Sequence, residues 1–281
     1  MFQVSKLTVS KLTALIASLF LFQCASVPPE DDFRARWSDS LLGSNVQANT
    51  EAEIKFGREV AARMLVDVDG VENFELQKYV NTLGKYLAQY SARPELEFYF
   101  WVIESDTINA YAMPGGYIFL TTSAYRLMEN EAELAGVLAH EIAHVKQKHI
   151  VNALDIKTVG AGATLTQLTS GASDAFRIAM DQAADQAIQL LTDEGLNQSD
   201  EFEADEIGLT IMVQAGYAPD EYLAYLKRVS ASKATQQKEL SHTHPSFATR
   251  LERLEAVKVS YGMENLNYAI LEERFKQHPL E

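Results

Sequence analysis

Two histidines and a glutamate form the most chemically suggestive group in the sequence, His140-Glu141-Ile142-Ala143-His144. Asn130 and Glu133 form a capping-box pattern ahead of it, and helix-favouring residues fill the next turns, which predicts a helix. Residues four apart share one face of a helix, so both imidazoles point to the same surface. Two nitrogen ligands one turn apart suit Zn²⁺. Glu141 is then placed to hold and deprotonate a metal-bound water.

The opposite half of this helix is apolar. Leu134, Leu138, Ile142 and Val145 cluster there and predict the face that packs into the core. His149 falls near the same stripe and is interpreted as a structural histidine. Two surface histidines beside an ordinary helical glutamate remain the alternative, because chance produces this pattern in on the order of one chain in a hundred of this length.

A zinc site for hydrolysis needs a third protein ligand and an open fourth position. Metzincins have Gly and His where this chain has Gln147 and Ile150, so that class is excluded. No glutamate occurs between Glu141 and Glu194, which also excludes the short ligand spacing of thermolysin-like enzymes. The third ligand is therefore expected further along the chain.

The next acidic cluster covers residues 200–206, on a predicted helix that stops at Gly216. Glu201, Asp205 and Gly208 share one face of that helix. A carboxylate ligand with a second carboxylate one turn later can bind a metal and orient a histidine ligand, and Gly208 would allow another helix to approach closely. The alternative is a solvated acidic face.

The elements around these motifs predict an α+β fold, mostly helical with a small antiparallel sheet. Helical spacing covers residues 51–65 and 72–90, and helical signals dominate from about residue 122 to 262. The strand candidates are Leu96–Glu104, Asn109–Met113 and Tyr117–Thr121. Gly115-Gly116 predicts a turn between the second and the third of them.

Composition sets the class of protein. The 281 residues are 47% hydrophobic and 22% charged, with a formal net charge of −15. These values are typical of a globular protein and exclude a disordered chain, a collagen-like repeat and a polytopic membrane protein. The acidic balance argues against a nucleic-acid partner, since such binding needs a basic surface.

The N-terminal segment resembles a targeting signal. Residues 1–23 combine two lysines with an apolar run, Leu12–Phe22, that is too short to span a bilayer comfortably, and the only cysteine, Cys24, follows. This order predicts a bacterial lipoprotein signal with lipidation of Cys24, although Gln23 stands where a small residue is usual. Ordinary cleavage, for example after Ser26, is the alternative. Residues 24–50 are polar and are expected to form a tether.

Four ordered segments together resemble the zinc metallopeptidases of peptidase family M48, which includes HtpX, the CAAX prenyl proteases and BepA-like periplasmic proteins. They cover roughly residues 51–260. The segments are Asn109–Thr121, His140–His144, Glu201–Asp205 and Thr243-His244-Pro245 with Arg250. The resemblance is to a short periplasmic lipoprotein branch of the family.

The resemblance implies a zincin-like fold and a set of site residues. One Zn²⁺ per chain would be bound by His140, His144 and Glu201, with Glu141 as the catalytic base. Asp205 would donate a proton or orient a ligand histidine, and the chemistry favours orientation because an ionised aspartate near zinc is a poor acid. His244 and Arg250 would stabilise the developing oxyanion.

The remaining expectations concern substrate and location. The segment Asn109–Met113, that is Asn109, Ala110, Tyr111, Ala112 and Met113, would be an edge strand that pairs with an extended substrate. His244 would either close the open zinc position as a fourth ligand or only cap a turn before Pro245.

The expected activity is zinc-dependent endopeptidase cleavage of misfolded or misassembled proteins in the bacterial envelope, from a lipid anchor in the outer membrane facing the periplasm. The alternatives are an envelope chaperone of the same fold and a surface-binding lipoprotein with an incidental motif. The expected domain organisation is a signal (1–23), a tether (24–50), a peptidase domain (51–262) and a C-terminal tail (263–281). The oligomeric state stays open.

Overall fold

The computed structural model describes residues 43–66, 68–154, 174–232, 246–264 and 267–280. The chain divides into two compact units, Met1–Gln47 and Ala48–Glu281. Of the first unit only residues 43–47 are described, and they begin a helix. The predicted signal, Cys24 and most of the predicted tether lie outside the described residues, and so does His244.

The described part of the chain is mostly helical. Its helices, in order, are α1 (Gly43–Met64), α2 (Phe74–Ala88), α3 (Thr122–Arg126), α4 (Glu131–Gln147), α5 (His149–Ala153), α6 (Asp174–Gln189), α7 (Gln198–Gln214), α8 (Pro219–Ala231), α9 (Phe247–Ser260) and α10 (Glu272–Lys276). A π-helical turn, Leu190–Glu194, follows α6. The two helices predicted at 51–65 and 72–90 are confirmed as α1 and α2. No described helix is sufficiently long and apolar to cross a membrane.

Three short strands form one sheet in the order β1-β3-β2, with β1 at Tyr99–Ile103, β2 at Ala110–Met113 and β3 at Tyr117–Thr121. All three strand candidates are confirmed. The sheet is mixed, whereas the sequence predicted an antiparallel one. β2 and β3 form an antiparallel hairpin, but β3 lies between the other two strands and runs parallel to β1. Each connection reverses the chain, so the first and third strands point the same way.

A tight turn, Pro114–Gly116, joins β2 to β3, and a buried carboxylate holds it in place. Gly115 has φ 75°, a conformation that favours glycine. The backbone N–H of Gly115 donates to Glu53 of α1 at 3.4 Å, and the same carboxylate binds Arg93 at 3.0 Å. Glu53 therefore fixes the hairpin against α1.

Helix α4 is the centre of the fold. Asn130 caps it by accepting a hydrogen bond from the backbone N–H of Glu133 at 3.0 Å, and the Glu133 carboxylate accepts one from Glu129 N–H at 2.8 Å. The predicted cap is therefore confirmed, with the return bond one residue earlier than in a standard capping box. The helix is buried from Glu131 to Val145 on every face, because α2, α7, α8 and the sheet all pack against it.

The C-terminal residues pack on the same core. Phe275 of α10 is buried, with its ring centroid 4.9 Å from that of Tyr125. The Tyr125 hydroxyl donates to the carbonyl of His278 at 2.7 Å. Arg274 forms an ion pair with the buried Glu131 at the start of α4. The segment named as a tail in the sequence analysis thus contributes contacts to the central helix.

Candidate active site

Helices α4 and α7 bring three potential metal ligands together. The Nε2 atoms of His140 and His144 are 3.0 Å apart. One Glu201 oxygen lies 3.6 Å from His140 Nε2 and the other lies 3.5 Å from His144 Nε2. All three side chains are buried, and their donor atoms lie within 4.8 Å of one another. The predicted ligand set therefore forms a cluster that is able to hold a metal ion.

The spacing of these atoms fits a tetrahedral ion. Zn–N and Zn–O distances of about 2.1 Å at tetrahedral angles place ligand atoms roughly 3.4 Å from one another. The charge also fits. Burial alone lowers the pKa of His140, but Asp205 and Glu201 outweigh it and raise that pKa to about 9. The surroundings of His140 thus favour a positive charge, which a divalent cation would supply.

The close approach of α7 to α4 depends on Gly208. A Cβ atom at this position would lie 2.9 Å from both the Cα and the N of His140, which is closer than a real contact allows. The absence of a side chain therefore lets the two helices meet where the ligands are needed. This confirms the expectation that Gly208 allows another helix to approach closely.

Asp205 lies behind His140, away from the ligand atoms. One of its oxygens is 3.0 Å from His140 Nδ1. Arg250 donates to both oxygens, from Nε at 2.8 Å and from Nη2 at 2.6 Å, and the Tyr222 hydroxyl donates at 3.1 Å. Burial raises the pKa of Asp205, but Arg250 and His140 more than reverse this and lower it below its ordinary range. An ionised Asp205 is suited to orienting His140 and not to donating a proton.

Arg250 contacts the carboxylates of Asp205 and Glu201, whereas an oxyanion donor was expected to face the open zinc position. It is buried, two of its three nitrogens bind Asp205, and Nη1 lies 3.8 Å from Glu201. Its Nη2 also donates to the Tyr222 hydroxyl at 2.9 Å. The geometry favours a role in holding both carboxylates in place. Its contribution to an oxyanion site stays a prediction.

The position of His149 differs from the one that helical periodicity predicted. It was expected on the far, apolar side of the helix, yet its Nδ1 lies 2.8 Å from Nδ1 of His144. The reason is local. Helix α4 ends at Gln147, Lys148 adopts the left-handed conformation with φ 58°, and α5 begins at His149. The azimuth of an uninterrupted helix therefore does not apply at this residue.

Glu141 lines a small cavity beside the ligands. The cavity has a volume of about 30 Å³, enough for one or two water molecules. Its other lining residues include His144 and Glu201. They also include Asn109, which precedes β2, two residues of β2 (Ala110, Ala112) and apolar side chains of the segment that follows α6 (Leu190, Leu191, Leu196). The predicted base, two of the candidate ligands and the predicted substrate strand therefore line one cavity.

Strand β2 is an edge of the described sheet, since it pairs only with β3. Its start is fixed by Thr121, whose hydroxyl donates to the Asn109 carbonyl at 2.8 Å and accepts from the Asn109 N–H at 3.1 Å. Tyr111 and Met113 point into a second apolar cluster, whereas Ala110 and Ala112 line the cavity. The predicted substrate strand thus lies beside the metal-ligand cluster.

The family model for peptidase family M48 matches residues 75–258, which is more than half of the chain. The chain belongs to this family. The match includes α4 and α7, the two helices that provide the ligand cluster. The M48 assignment and the mostly helical fold with a small sheet agree with the resemblance noted from the sequence.

Curated relatives of this M48 chain include two bacterial proteins and a mitochondrial one. The beta-barrel assembly-enhancing protease of Yersinia pestis is 33% identical over 255 residues, or 85% of this chain and 51% of the relative. The Escherichia coli protein of the same name is 32% identical over 184 residues, or 63% and 37%. The mitochondrial metalloendopeptidase OMA1 of Schizosaccharomyces pombe is 30% identical over 183 residues, or 63% and 51%. The chain thus spans about half, or less, of these relatives.

Proposed function

We propose that this chain is a zinc-dependent endopeptidase of the bacterial cell envelope that cleaves extended or misfolded proteins. One observation carries the proposal: His140, His144 and Glu201 converge from two helices, with Glu141 in the adjoining cavity. Three protein ligands with a cavity beside them are typical of a catalytic zinc site, which keeps one position open. The relatives named as proteases and metalloendopeptidases support the same activity.

The proposed mechanism assigns a separate task to each side chain. His140, His144 and Glu201 would hold the zinc ion, and the bound ion would supply polarisation of the scissile carbonyl group and activation of water. Glu141 accepts the proton that water loses as its oxygen bonds to the carbonyl carbon. The same carboxyl group then gives a proton to the amine nitrogen as the C–N bond breaks. Asp205 and Arg250 keep His140 and Glu201 in position and do not take part in proton transfer.

The substrate is proposed to bind as an added strand along β2. Backbone pairing at a sheet edge selects an extended chain with little dependence on sequence. The cavity next to β2 is narrow and mostly apolar, with Ile150 and Leu190 among its lining residues. Extended segments of unfolded or misassembled envelope proteins fit these requirements better than folded proteins do.

Metal content and a single substitution test the activity. Elemental analysis of the purified protein should find one zinc per chain, and Glu141→Gln should keep that zinc but lose hydrolysis of an unfolded substrate by several orders of magnitude. Glu252→Gln is the matched control, because Glu252 is an exposed helical glutamate. A protein purified without chelator that contains no zinc would overturn the proposal.

The Glu141→Gln variant also distinguishes the proposed peptidase from an envelope chaperone of the same fold. If envelope proteins accumulate in cells carrying Glu141→Gln as they do in cells lacking the protein, hydrolysis is the main role. If Glu141→Gln cells instead resemble the wild type, binding without cleavage is the main role.

Lipid anchoring through Cys24 and a periplasmic location are also part of the proposal. They rest on the apolar run before the only cysteine. Mass spectrometry should find a lipidated Cys24 as the first residue, and Cys24→Ala should block processing or release the protein from membranes. An unmodified chain that begins at Val27 would show that the signal is an ordinary one.

A role for His244 beside the zinc is a further part of the proposal and rests on the family motif alone. As a fourth ligand it would close the site, and when turned away it would donate to an oxyanion. X-ray absorption should then detect four protein ligands in the resting enzyme, and His244→Ala should open the zinc to water. Unchanged coordination in that variant would leave His244 with only a turn-capping role.

A further inference from the structure

The side chain of His149 is buried against a metal ligand. Its Nδ1 lies 2.8 Å from Nδ1 of His144, and the two rings are nearly perpendicular, with centroids 4.9 Å apart. Its other nitrogen, Nε2, lies 3.3 Å from the carboxylate of Glu203. His149 thus connects His144 to a carboxylate on α7, the helix that also carries Glu201.

The backbone at the end of α4 places His149 in this position. Five residues of uninterrupted helix would turn it about 140° away from His144. Instead Lys148 takes the left-handed conformation, with φ 58° and ψ 35°. Two contacts hold this corner: Lys148 Nζ lies 3.1 Å from the buried Glu53 carboxylate, and Arg93 donates to the Val145 carbonyl at 3.2 Å.

The tautomers follow from the ligand geometry. Nε2 of His144 faces His140 and Glu201, so it is the nitrogen that would bind the metal. A neutral imidazole bound through Nε2 has its proton on Nδ1 and must donate from there. Nδ1 of His149 must therefore accept, which leaves the His149 proton on Nε2, facing Glu203. One arrangement of protons satisfies every contact from the metal ligand to the carboxylate.

We infer that His149 is a positioning residue for the metal ligand His144, and that Glu203 fixes its orientation. This inference rests on the proposed zinc site. A histidine ligand whose other nitrogen is held by an acceptor keeps its ring orientation and binds the metal more tightly. Glu203 is itself held by Gln147, whose amide donates to the second carboxylate oxygen. Residues on both sides of the α4–α5 corner therefore support the same ligand.

The test compares substitutions that keep or remove the acceptor at Nδ1. In His149→Asn the amide oxygen can take the place of Nδ1, whereas in His149→Gln the amide lies further out, near the position of Nε2. His149→Leu removes both nitrogens at similar volume. Zinc affinity is measured on the full chain by competition with a chromophoric chelator, and the visible absorption of the cobalt(II) form reports the ligand geometry.

The expected result is a loss of affinity of about 10- to 100-fold in His149→Leu and His149→Gln. His149→Asn should stay close to the wild type in affinity and in the cobalt spectrum. His278→Leu is the matched control, because His278 stacks on Tyr79 with a 4.0 Å centroid separation, and neither residue belongs to the ligand cluster. It should leave both measurements unchanged.

Two outcomes would overturn the inference. The first is a His149→Leu protein that binds zinc as tightly as the wild type with the same cobalt spectrum. The second is equal weakening in His149→Asn and His149→Gln, which would mean that the ring only fills space. The Asn and Gln variants still decide the matter if His149→Leu does not fold. A wild-type chain that binds no zinc would instead contradict the proposed function, so the two failures are distinguishable.

Discussion

The two candidate ligand histidines, His140 and His144, are supported in different ways. Behind His140 lies Asp205, an ionised carboxylate enclosed with Arg250 and Tyr222, all of them buried. Behind His144 lies His149, a second imidazole, and behind that Glu203, whose side chain is 48% exposed. His140 is therefore held by buried charged groups, whereas His144 is held by the imidazole of His149, which in turn contacts a partly exposed carboxylate.

This difference predicts different costs when a supporting residue is lost. A buried ion pair adds little net stability, but removing one partner leaves the other charge without compensation. An exposed carboxylate is screened by water and contributes much less. The support of His140 should therefore affect folding and metal binding together, whereas the support of His144 should affect mainly metal binding.

Asp205→Ala should have the largest effect. It leaves the Arg250 guanidinium buried without its main partner, which costs about 3–5 kcal/mol. Urea unfolding of the metal-free protein should measure this loss, and zinc affinity should fall as well because His140 is no longer oriented. Glu203→Ala is the comparison variant. Equal destabilisation by the two substitutions would contradict the distinction between the two supports.

Replacing both charges together should restore part of that stability. In Asp205→Leu/Arg250→Met both members of the buried ion pair are replaced together, so the double variant should be at least about 1 kcal/mol more stable than Asp205→Ala. Its zinc affinity should stay low, because nothing orients His140. If the double variant is as unstable as Asp205→Ala, the shape of the site and not the charge pairing is responsible.

Tyr222→Phe should have an intermediate effect. It removes a hydroxyl that donates to Asp205 at 3.1 Å and accepts from Arg250 at 2.9 Å. The expected cost is about 1–2 kcal/mol of unfolding free energy, since the ring remains in place and one buried hydrogen-bond network loses a member. Tyr225→Phe is a suitable control, because its hydroxyl donates at 3.3 Å to the Ala124 carbonyl. An equal loss in both variants would indicate no special role for Tyr222.

Glu203→Gln should have the smallest effect. The amide oxygen can still accept from His149, and the position is half exposed, so unfolding free energy should change by less than about 0.5 kcal/mol. Zinc affinity should fall no more than a few-fold. A large loss of stability from this substitution would show that Glu203 belongs to the charged network of the fold.

Local sequence patterns were sufficient to predict helix α4 and the face of it that carries the two histidines. The i, i+4 spacing places His140 and His144 on one face regardless of the rest of the fold, and Asn130 caps the helix through a hydrogen bond to a residue three positions away. The strand candidates were also correct, because aromatic and β-branched residues between turn signals favour extended backbone. The choice of Glu201 and Asp205 came from a family motif in which both residues lie on one helical face.

Other features depended on contacts between residues far apart in the sequence. β1 pairs in parallel with β3 because β3 lies between β1 and β2 in the sheet. The residue pattern of a single strand does not indicate which strands are its neighbours. The pairing of Arg250 with Asp205 joins residues 45 positions apart and requires α9 to pack on α7. The left-handed Lys148 depends partly on Glu53 of α1, so the position of His149 could not be read from α4 alone.

The sequence by itself determined that two side chains able to bind a metal, His140 and His144, lie on one face of a capped helix. It did so because helical periodicity and capping act over only a few residues. The tertiary structure decided what stands behind each ligand: a buried carboxylate–arginine pair for His140, and an imidazole leading to an exposed carboxylate for His144. Those partners come from separate segments, and only the packing of α7, α9 and the α4–α5 corner sets the distances between them.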